Sequence, residues 1–168
     1  TILARRALSR LTRPTTRRLR TGPALPAGVL LGYYRKAQRR FGVKWQMLAA
    51  VNFVESAFGR VRSTSTAGAQ GPMQFLPSTW RAYGLGGDVH DPHDAILGAA
   101  NYLRANGAPR RAWQALYRYN PSSLYVEAVL RYTRRITRDP NAYFAYYSWQ
   151  VFQRTLTGDR RLTGPGIR

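Results

Sequence analysis

The sequence is organised around two neighbouring segments, VKWQMLAAVNFVESAFG at residues 43–59 and STAGAQGPMQFLPSTW at residues 65–80. Glu55 lies at the centre of this stretch and is the only acidic residue among the first 87. On a helix, Val51 and Leu48 precede Glu55 by four and seven residues, so its carboxyl shares a face with apolar side chains. Because burial disfavours a charged carboxyl, the pattern predicts a raised pKa for Glu55. Such a group can donate a proton near neutral pH.

The composition fits one globular domain with a strong positive charge. The chain has 168 residues, 44% of them hydrophobic, which is enough to bury a core. Its 27 Lys and Arg residues against seven Asp and Glu give a formal charge of +20. This charge attracts polyanions such as nucleic acid, anionic lipid or an acidic cell-wall polymer. Cysteine is absent, which excludes disulfides and thiolate chemistry. No apolar run reaches the length of a membrane span, and the start at Thr1 is compatible with an upstream signal or anchor.

The chain divides into three parts by composition. Residues 1–28 form a basic, Arg-rich tail or linker, residues 29–154 the folded domain, and residues 155–168 a polar C-terminal tail. The spacing of apolar residues in the domain predicts helices, and neither a β pattern nor an internal repeat is visible. The predicted fold class is therefore all-α. The expected helices cover about 29–42, 44–59, 72–83 with a break near Pro77, 91–106, 110–119, 122–136 and 141–153, the last being rich in aromatic residues.

The segment DVHDPHD at residues 88–94 contains three carboxylates and two imidazoles, a composition that would also suit a metal site. A helix start explains the same residues better. Asp91 suits the N-cap, Pro92 the first helical position, and Asp94 the third, where a carboxylate offsets the helix dipole. Because nothing in the spacing fixes ligand geometry, we expect no metal here and no other cofactor.

Several motifs, in order along the chain, resemble those of a known family. They are ESAFG at 55–59, STAGAQG at 65–71, PMQFLPSTW at 72–80, AANYL at 99–103 and YN at 119–120. This series, within about residues 30–137, is similar to that of the lytic murein transglycosylases with the goose-type lysozyme-like SLT fold. The segment DPHDAI before AANYL is similar to the form in the membrane-bound B-type branch. The resemblance implies an all-α, lysozyme-like domain with a cleft beside the helix that carries Glu55.

The resemblance also implies a reaction on peptidoglycan, at the β-1,4 bond between N-acetylmuramic acid and N-acetylglucosamine. Glu55 would protonate the glycosidic oxygen and then accept the proton of the muramic C6 hydroxyl as that oxygen attacks C1. The product would be a 1,6-anhydro sugar, formed without water. The distribution of acidic residues agrees with a reaction that uses one carboxylate. Most glycosidases use two carboxylates, and no second acid lies near Glu55 in the sequence.

The same resemblance implies which residues line the substrate cleft. They are Ser65, Gln74, Asn101, Tyr119 and Asn120. The amide of Gln74 can both donate hydrogen bonds to a sugar and accept them from it. After Asn120 the chain departs from the commoner pattern of the family, with PSS where AGP is usual.

Other functions remain open at this point. A hydrolytic muramidase on the same fold would use a loop acid such as Asp88 to activate water, and the end group of its product would differ. A binding protein would be either a cell-wall module without activity or a basic nucleic-acid binder, although no nucleic-acid-binding motif is visible. In a purely structural role, Glu55 would be a buried acid paired with Arg60 or Arg62.

The charge and the resemblance together predict the surroundings in which the protein works. We expect peptidoglycan glycan strands as its partner, no specific nucleic acid, and a monomer. We also expect an extracytoplasmic location in the cell wall or envelope. The Arg-rich tail is expected to hold the protein near anionic lipid or wall polymers, where peptidoglycan lies.

Overall fold

The computed structural model describes residues 20–149, 151–155 and 158–163, and this part of the chain is mostly helical. The helical fold class predicted from the sequence is confirmed. Among the described helices, none combines the length and the apolar character that a bilayer span requires. The elements are α1 Ala27–Phe41, α2 Trp45–Ser56, α3 Pro77–Tyr83, α4 Pro92–Ala105, α5 Ala112–Tyr119, α6 Ser123–Arg138, α7 Asn141–Tyr147, β1 Val151–Thr155 and β2 Gly158–Thr163.

Helix α2 is the centre of the core. Every residue from Met47 to Val51 is buried, and α2 packs against both α1 and α6. Two of these residues are alanines, whose small side chains allow neighbouring helices to approach closely. Gly42 ends α1 with a φ of 71°, in the left-handed region that glycine adopts without strain. This short junction folds α1 back against α2.

Helix α4 begins with the cap that its sequence predicts. The Asp91 side chain accepts a hydrogen bond from the Asp94 N–H at 3.0 Å, and Pro92 is the first helical residue. The loop after α2 lies against this start, because Gly71 approaches Val89 so closely that a Cβ at position 71 would collide with the Val89 carbonyl. Only glycine fits there. The loop and the start of α4 therefore hold each other in place.

The C-terminal part of the domain differs from the prediction. Helix α7 ends at Tyr147 rather than near Gln153, and β1 and β2 then form an antiparallel hairpin. The expectation that the chain contains no β structure is wrong for residues 151–155 and 158–163. The aromatic spacing suits a helix as far as α7, but the β-branched and aromatic residues from Val151 onward favour a strand. Gly158, with a φ of 119°, lies at the start of β2.

Residues 20–26 form an extended segment, here called the N-terminal strap, which lies along the residues that follow α2. Thr21 and Val61 form an antiparallel bridge. The backbone of the strap also exchanges hydrogen bonds of 2.8 and 2.9 Å with Arg60 and Arg62. The expected basic tail, 1–28, thus includes a packed portion, while residues 1–19 lie outside the described residues.

Helix α7 binds both the end of the strap and the start of α1. The hydroxyl of Tyr143 donates to the carbonyl of Ala27, and that of Tyr147 donates to the carbonyl of Leu25, both at 2.8 Å. These bonds join residues more than 110 positions apart in the sequence. Two tyrosines of α7 therefore hold the N-terminal part of the domain against its C-terminal part.

Candidate active site

Glu55 lies in the last turn of α2, one residue before the helix ends. Burial raises the pKa of its carboxyl from 4.5 to about 7, and the nearby Tyr125 hydroxyl lowers the pKa by a smaller amount. The direction is the one that the apolar face of α2 predicts. At a pKa near 7 the carboxyl is protonated in a large fraction of molecules at neutral pH, so it can give up a proton and take one back.

The two arginines that follow Glu55 are engaged elsewhere. The Arg60 guanidinium lies over the Tyr147 ring, 4.2 Å from its centroid. Arg62 donates to the carbonyl of Pro23 in the strap at 3.0 Å. Neither of the two salt bridges in the described part of the chain includes Glu55. The structural alternative, an ion pair of Glu55 with one of these arginines, is therefore not formed.

The hydroxyl of Ser56 determines how α2 ends beside Glu55. It donates to the carbonyl of Pro72 at 2.5 Å and accepts from the N–H of Gly59 at 2.8 Å. The two residues between Ser56 and Gly59 have positive φ angles of 50° and 64°, which are uncommon for residues with side chains. Ser56 thus ties a strained turn to the loop that holds the PMQ motif.

Buried polar groups support Ser56 from the core side. Asn52 is fully buried, and its amide donates to the Tyr34 hydroxyl at 3.0 Å. The Asn52 side-chain oxygen lies 3.2 Å from the Ser56 hydroxyl oxygen. Because an unpaired polar group in this environment would be costly, the three side chains adopt one arrangement. These bonds hold the end of α2 in place from the core side.

Two tyrosines lie within electrostatic range of the Glu55 carboxyl. Tyr119 ends α5, and its hydroxyl donates to the Met73 carbonyl at 2.7 Å. Tyr125 lies in the first turn of α6, and its buried hydroxyl has no hydrogen-bond partner of ordinary geometry among the described residues. The pKa values of both phenols are raised, first by burial and then by the charge of Glu55. Both therefore remain neutral hydrogen-bond donors at physiological pH.

Tyr125 is a site residue that the sequence analysis does not identify. Its helical spacing assigns it to the apolar stripe of α6, and most of the side chain is indeed buried. The position of Tyr125 in the sequence does indicate a place near the site. Ser122 caps α6 by accepting from the Tyr125 N–H at 3.4 Å, so Tyr125 stands at the start of a helix that follows the YN motif directly. A tyrosine there can turn its polar end toward the site.

The loop residues predicted to bind substrate are held by bonds within their own loop. The Ser65 hydroxyl accepts from the Ala69 N–H at 2.9 Å. Gln74 has a φ of 52°, and its side-chain amide donates to the Gly71 carbonyl at 2.9 Å. No hydrogen bond of the described residues joins Ser65 or Gln74 to Glu55. Both side chains shape the loop that borders the site.

The two predicted asparagines also make local contacts. The Asn101 amide donates to the Tyr83 carbonyl at 3.1 Å and so connects α4 with α3. Asn120 is the C-cap of α5, where its N–H donates to the Leu116 carbonyl at 2.9 Å. Among the predicted cleft residues, Tyr119 has a pKa that the charge of Glu55 raises. Asn101 and Asn120 support the elements around it.

Three residues at the start of α4 place possible metal ligands near one another. Ligand atoms of Asp91, His93 and Asp94 all lie within 4.8 Å of each other. The His93 Nε2 is 2.9 Å from the Lys36 ammonium, which can only donate, so the opposite nitrogen of the ring donates to Asp94 at 2.9 Å. These contacts lower the pKa of Asp94, the His93 hydrogen bond most strongly. An ammonium beside the imidazole opposes a second cation, and the group forms a helix cap with a histidine–carboxylate pair.

A separate cavity of about 510 Å³ lies between the strap, the turn after α2 and the start of α4. Its lining is mostly apolar, and it contains neither Glu55 nor the two tyrosines beside it. The cavity is therefore distinct from the candidate active site. It is lined by Pro23, Ala24, Leu25, Pro26, Phe58, Gly59, Val61, Arg62, Gly71, Pro72, His90 and Pro92.

The fold is that of known lytic transglycosylases. It matches the lytic transglycosylase Slt35 of Escherichia coli in complex with bulgecin A, with a TM-score of 0.59 and 16% identity over 67% of this chain and 73% of that chain. It also matches SltB3 of Pseudomonas aeruginosa in complex with NAG-anhNAM-pentapeptide, with a TM-score of 0.55 and 14% identity over 75% of this chain and 72% of that chain. At these identities the likeness shows the fold alone.

The sequence then identifies the family. Residues 32–140 match the family model described as Transglycosylase SLT domain. The chain belongs to this family, and the resemblance inferred from the motifs is confirmed.

Full-length relatives are considerably longer than this chain. The membrane-bound lytic murein transglycosylase F of Thiobacillus denitrificans is 30% identical over 119 residues, which are 66% of this chain and 25% of that protein. The membrane-bound lytic murein transglycosylase F 1 of Alkalilimnicola ehrlichii is 29% identical over 129 residues, which are 72% of this chain and 24% of that protein. The chain thus spans about a quarter of the length of these curated relatives.

Proposed function

We propose that this domain is a peptidoglycan lytic transglycosylase that cleaves the β-1,4 bond between N-acetylmuramic acid and N-acetylglucosamine without water. The observation that carries the proposal is the state of Glu55. Its carboxyl is buried at a helix end, has a pKa of about 7, and has no cation as a partner among the described residues. A group of this kind can act first as an acid and then as a base at neutral pH.

In the proposed reaction Glu55 serves both proton transfers. The protonated carboxyl donates its proton to the glycosidic oxygen as the bond between C1 and that oxygen breaks. The resulting carboxylate takes the proton of the muramic C6 hydroxyl while the C6 oxygen bonds to C1. The products are a 1,6-anhydro-muramic end and a free hydroxyl on the departing sugar, and Glu55 is protonated again.

The surroundings of Glu55 support a mechanism with one carboxylate. The pKa of Glu55 is shifted by burial and by Tyr125, and no other carboxylate among the described residues contributes. Asp88, the acid that a hydrolytic muramidase would use in this chain, is exposed and accepts a hydrogen bond from the His90 N–H at 2.8 Å. Without a second carboxylate to activate water, a nucleophile that belongs to the substrate is favoured.

Substrate binding is proposed for the five residues that match the motifs of the family. Tyr119 would border the sugar next to the scissile bond, because it is the one that interacts with Glu55. The other four would bind or shape the cleft through the loop and helix ends that they stabilise. They are Ser65, Gln74, Asn101 and Asn120.

The proposed setting is the cell envelope, with peptidoglycan glycan strands as the partner and the protein acting as a monomer. The names of the relatives, membrane-bound lytic murein transglycosylases, support an envelope location. Seven arginines within the first 20 residues support a tether to anionic lipid or wall polymers. A chain with a net charge of +20 is attracted to such surfaces.

Mass spectrometry of the muropeptides released from purified sacculi tests the proposal. The wild-type domain should release products that are lighter by one water than hydrolysis products and that carry anhydro-muramic ends. Glu55→Gln should release none. Glu127→Gln, which changes an exposed acid on α6, is the matched control and should behave as wild type. Ordinary reducing ends would establish the hydrolytic alternative instead.

A further inference from the structure

The solvent side of α5 carries a stacked pair of aromatic rings. The Trp113 and Tyr117 side chains lie one helical turn apart, with centroids separated by 5.0 Å and an interplanar angle of 12°. Trp113 is 45% exposed and Tyr117 is 40% exposed. Of the two residues that α5 buries, Ala115 lies on the opposite side of the helix and Leu116 lies beside the pair. Because a large part of each aromatic side chain is exposed, the outward surface of the pair is available to a ligand.

The pair is suited to binding because it is already ordered. Each ring limits the motion of the other, so little rotamer freedom is lost when a ligand packs on them. Contiguous exposed apolar surface can mark an interaction site. Planar rings also suit the flat C–H faces of sugars, which pack on aromatic side chains.

The sequence on either side of the pair carries only positive charge. Residues 95–126 contain four arginines and no acidic residue, and all four arginines are exposed. One of them, Arg118, is oriented by a hydrogen bond of 3.2 Å to the side-chain oxygen of Asn106. A ligand that complements this surface combines apolar ring faces with carboxylates. The four arginines are Arg104, Arg110, Arg111 and Arg118.

Helix α5 also connects the pair to the candidate active site. The helix ends at Tyr119, which interacts with Glu55. Trp113 precedes Tyr119 by six residues, a distance of about 9 Å along the helix axis. The pair and the residue whose pKa the Glu55 charge raises thus belong to one helix, less than two turns apart.

We propose that Trp113 and Tyr117 form a second binding surface for the peptidoglycan glycan strand, outside the catalytic cleft. Sugar rings pack on the exposed aromatic faces, and the carboxylates of the stem peptides pair with the surrounding arginines. This assignment rests on the proposed function for the identity of the polymer. Single-stranded nucleic acid would also stack on such a pair, but the continuity of α5 with the candidate active site favours the glycan.

The test compares the full chain with the double variant Trp113→Ala and Tyr117→Ala. Co-sedimentation with purified insoluble sacculi should weaken by about tenfold, since a few central aromatic residues carry most of the affinity of such surfaces. Cleavage of short soluble glycan fragments, which cannot reach both places, should stay close to the wild-type rate. Phe144→Ala on α7 is the matched control, because Phe144 is also an exposed aromatic residue, at 46%. Trp113→Phe with Tyr117→Phe should restore binding.

The outcomes separate this inference from the proposed function. If the wild-type domain cleaves no soluble fragments, the proposed function fails, while sedimentation still reports on the aromatic pair. Unchanged sedimentation of a folded double variant would overturn the inference. The inference would also be overturned if the double variant lost binding to single-stranded DNA but kept its binding to sacculi. This result would assign the surface to nucleic acid. Should the double variant melt early, Trp113→Gln alone provides the same comparison.

Discussion

The Tyr125 hydroxyl, at the start of α6, lies near enough to the Glu55 carboxyl at the end of α2 to lower its pKa, and it makes no hydrogen bond of ordinary geometry with any described group. A neutral donor next to a carboxylate stabilises the charged form. The pair therefore limits how far burial raises the pKa of Glu55. It also places a hydrogen-bond donor where the carboxylate forms after the first proton transfer.

Tyr125→Phe should raise the pKa of Glu55 further above 7, because it removes the group that lowers that pKa. The rate of glycan cleavage should fall by about tenfold, the typical effect of losing one hydrogen bond to a charged group. An NMR titration of the Glu55 carboxyl measures the first effect, and release of anhydro-muropeptides measures the second. Tyr132→Phe, two turns further along α6, is the control and should change neither. A pKa that stays the same in Tyr125→Phe would show that the hydroxyl does not interact with Glu55.

The cleavage rate should fall as the pH rises through about 7. The first step requires a protonated Glu55, and the protonated fraction decreases tenfold for each pH unit above the pKa of about 7. A pH profile of kcat/KM on soluble glycan fragments measures this limb. A profile that stays flat to pH values well above 7 would argue against Glu55 as the acid.

The stability of the folded domain should also decrease with pH because of Glu55. Its folded pKa, about 7, is above the ordinary value of 4.5, so the folded state binds the proton more tightly than the unfolded state. This stabilisation is complete below pH 4.5 and is lost as the pH rises through 7, and it amounts to roughly 3 kcal/mol. Glu55→Gln lacks this contribution, so its unfolding free energy should rise relative to wild type between pH 5 and pH 8. Urea unfolding of both proteins at the two pH values measures the difference. Parallel pH dependences would contradict it.

Ser56→Ala should destabilise the domain by about 2–3 kcal/mol, because it leaves the Pro72 carbonyl and the Gly59 N–H without their partner. Thr133→Val is a matched control. It also removes a buried hydroxyl, but one that bonds only the carbonyl four residues earlier in its own helix. Chemical denaturation of the two variants compares them. An equal loss in both would mean that Ser56 contributes no more than an ordinary helical hydroxyl.

Deletion of residues 1–19 should weaken sedimentation with cell walls or anionic vesicles at low salt, because it removes six of the arginines. The deletion stops before the strap, so the contacts of Thr21 with Val61 are kept. Thermal unfolding checks that the remaining domain stays folded. Sedimentation equal to that of the full chain would show that the folded domain itself carries the attraction.

The sequence predicts structure correctly where the local spacing of apolar residues also determines which side chains are buried in the fold. The apolar face around Glu55 predicts both helix α2 and the direction of its pKa shift, since helical periodicity determines burial there. The cap at Asp91 is equally local. Tyr125 shows the limit, because the same helical spacing describes a core residue and a residue whose hydroxyl reaches the site. The family motifs indicate the residues around the cleft, but not that Ser65 and Gln74 bond within their own loop.

Other features depend on contacts between distant parts of the chain. The hairpin after α7 is formed by pairing between strands, which a search for helical spacing does not detect. The strap depends on backbone hydrogen bonds with residues about 40 positions away, and backbone groups carry no sequence signal. Composition alone places residues 20–28 in a tail, because their side chains carry no signal of the packing that their backbone makes.

The strap also determines where a mechanical load enters the domain. A protein fixed to a surface through residues upstream of Arg20 would be pulled at that point whenever its substrate moved. The first bonds under tension would be those between the strap and residues 60–63, including the bond from the Arg20 N–H to the Ser63 hydroxyl at 2.7 Å. Those residues lead directly into the loop that begins at Ser65. Force on the anchor would therefore reach the rim of the candidate active site before it reached the helical core.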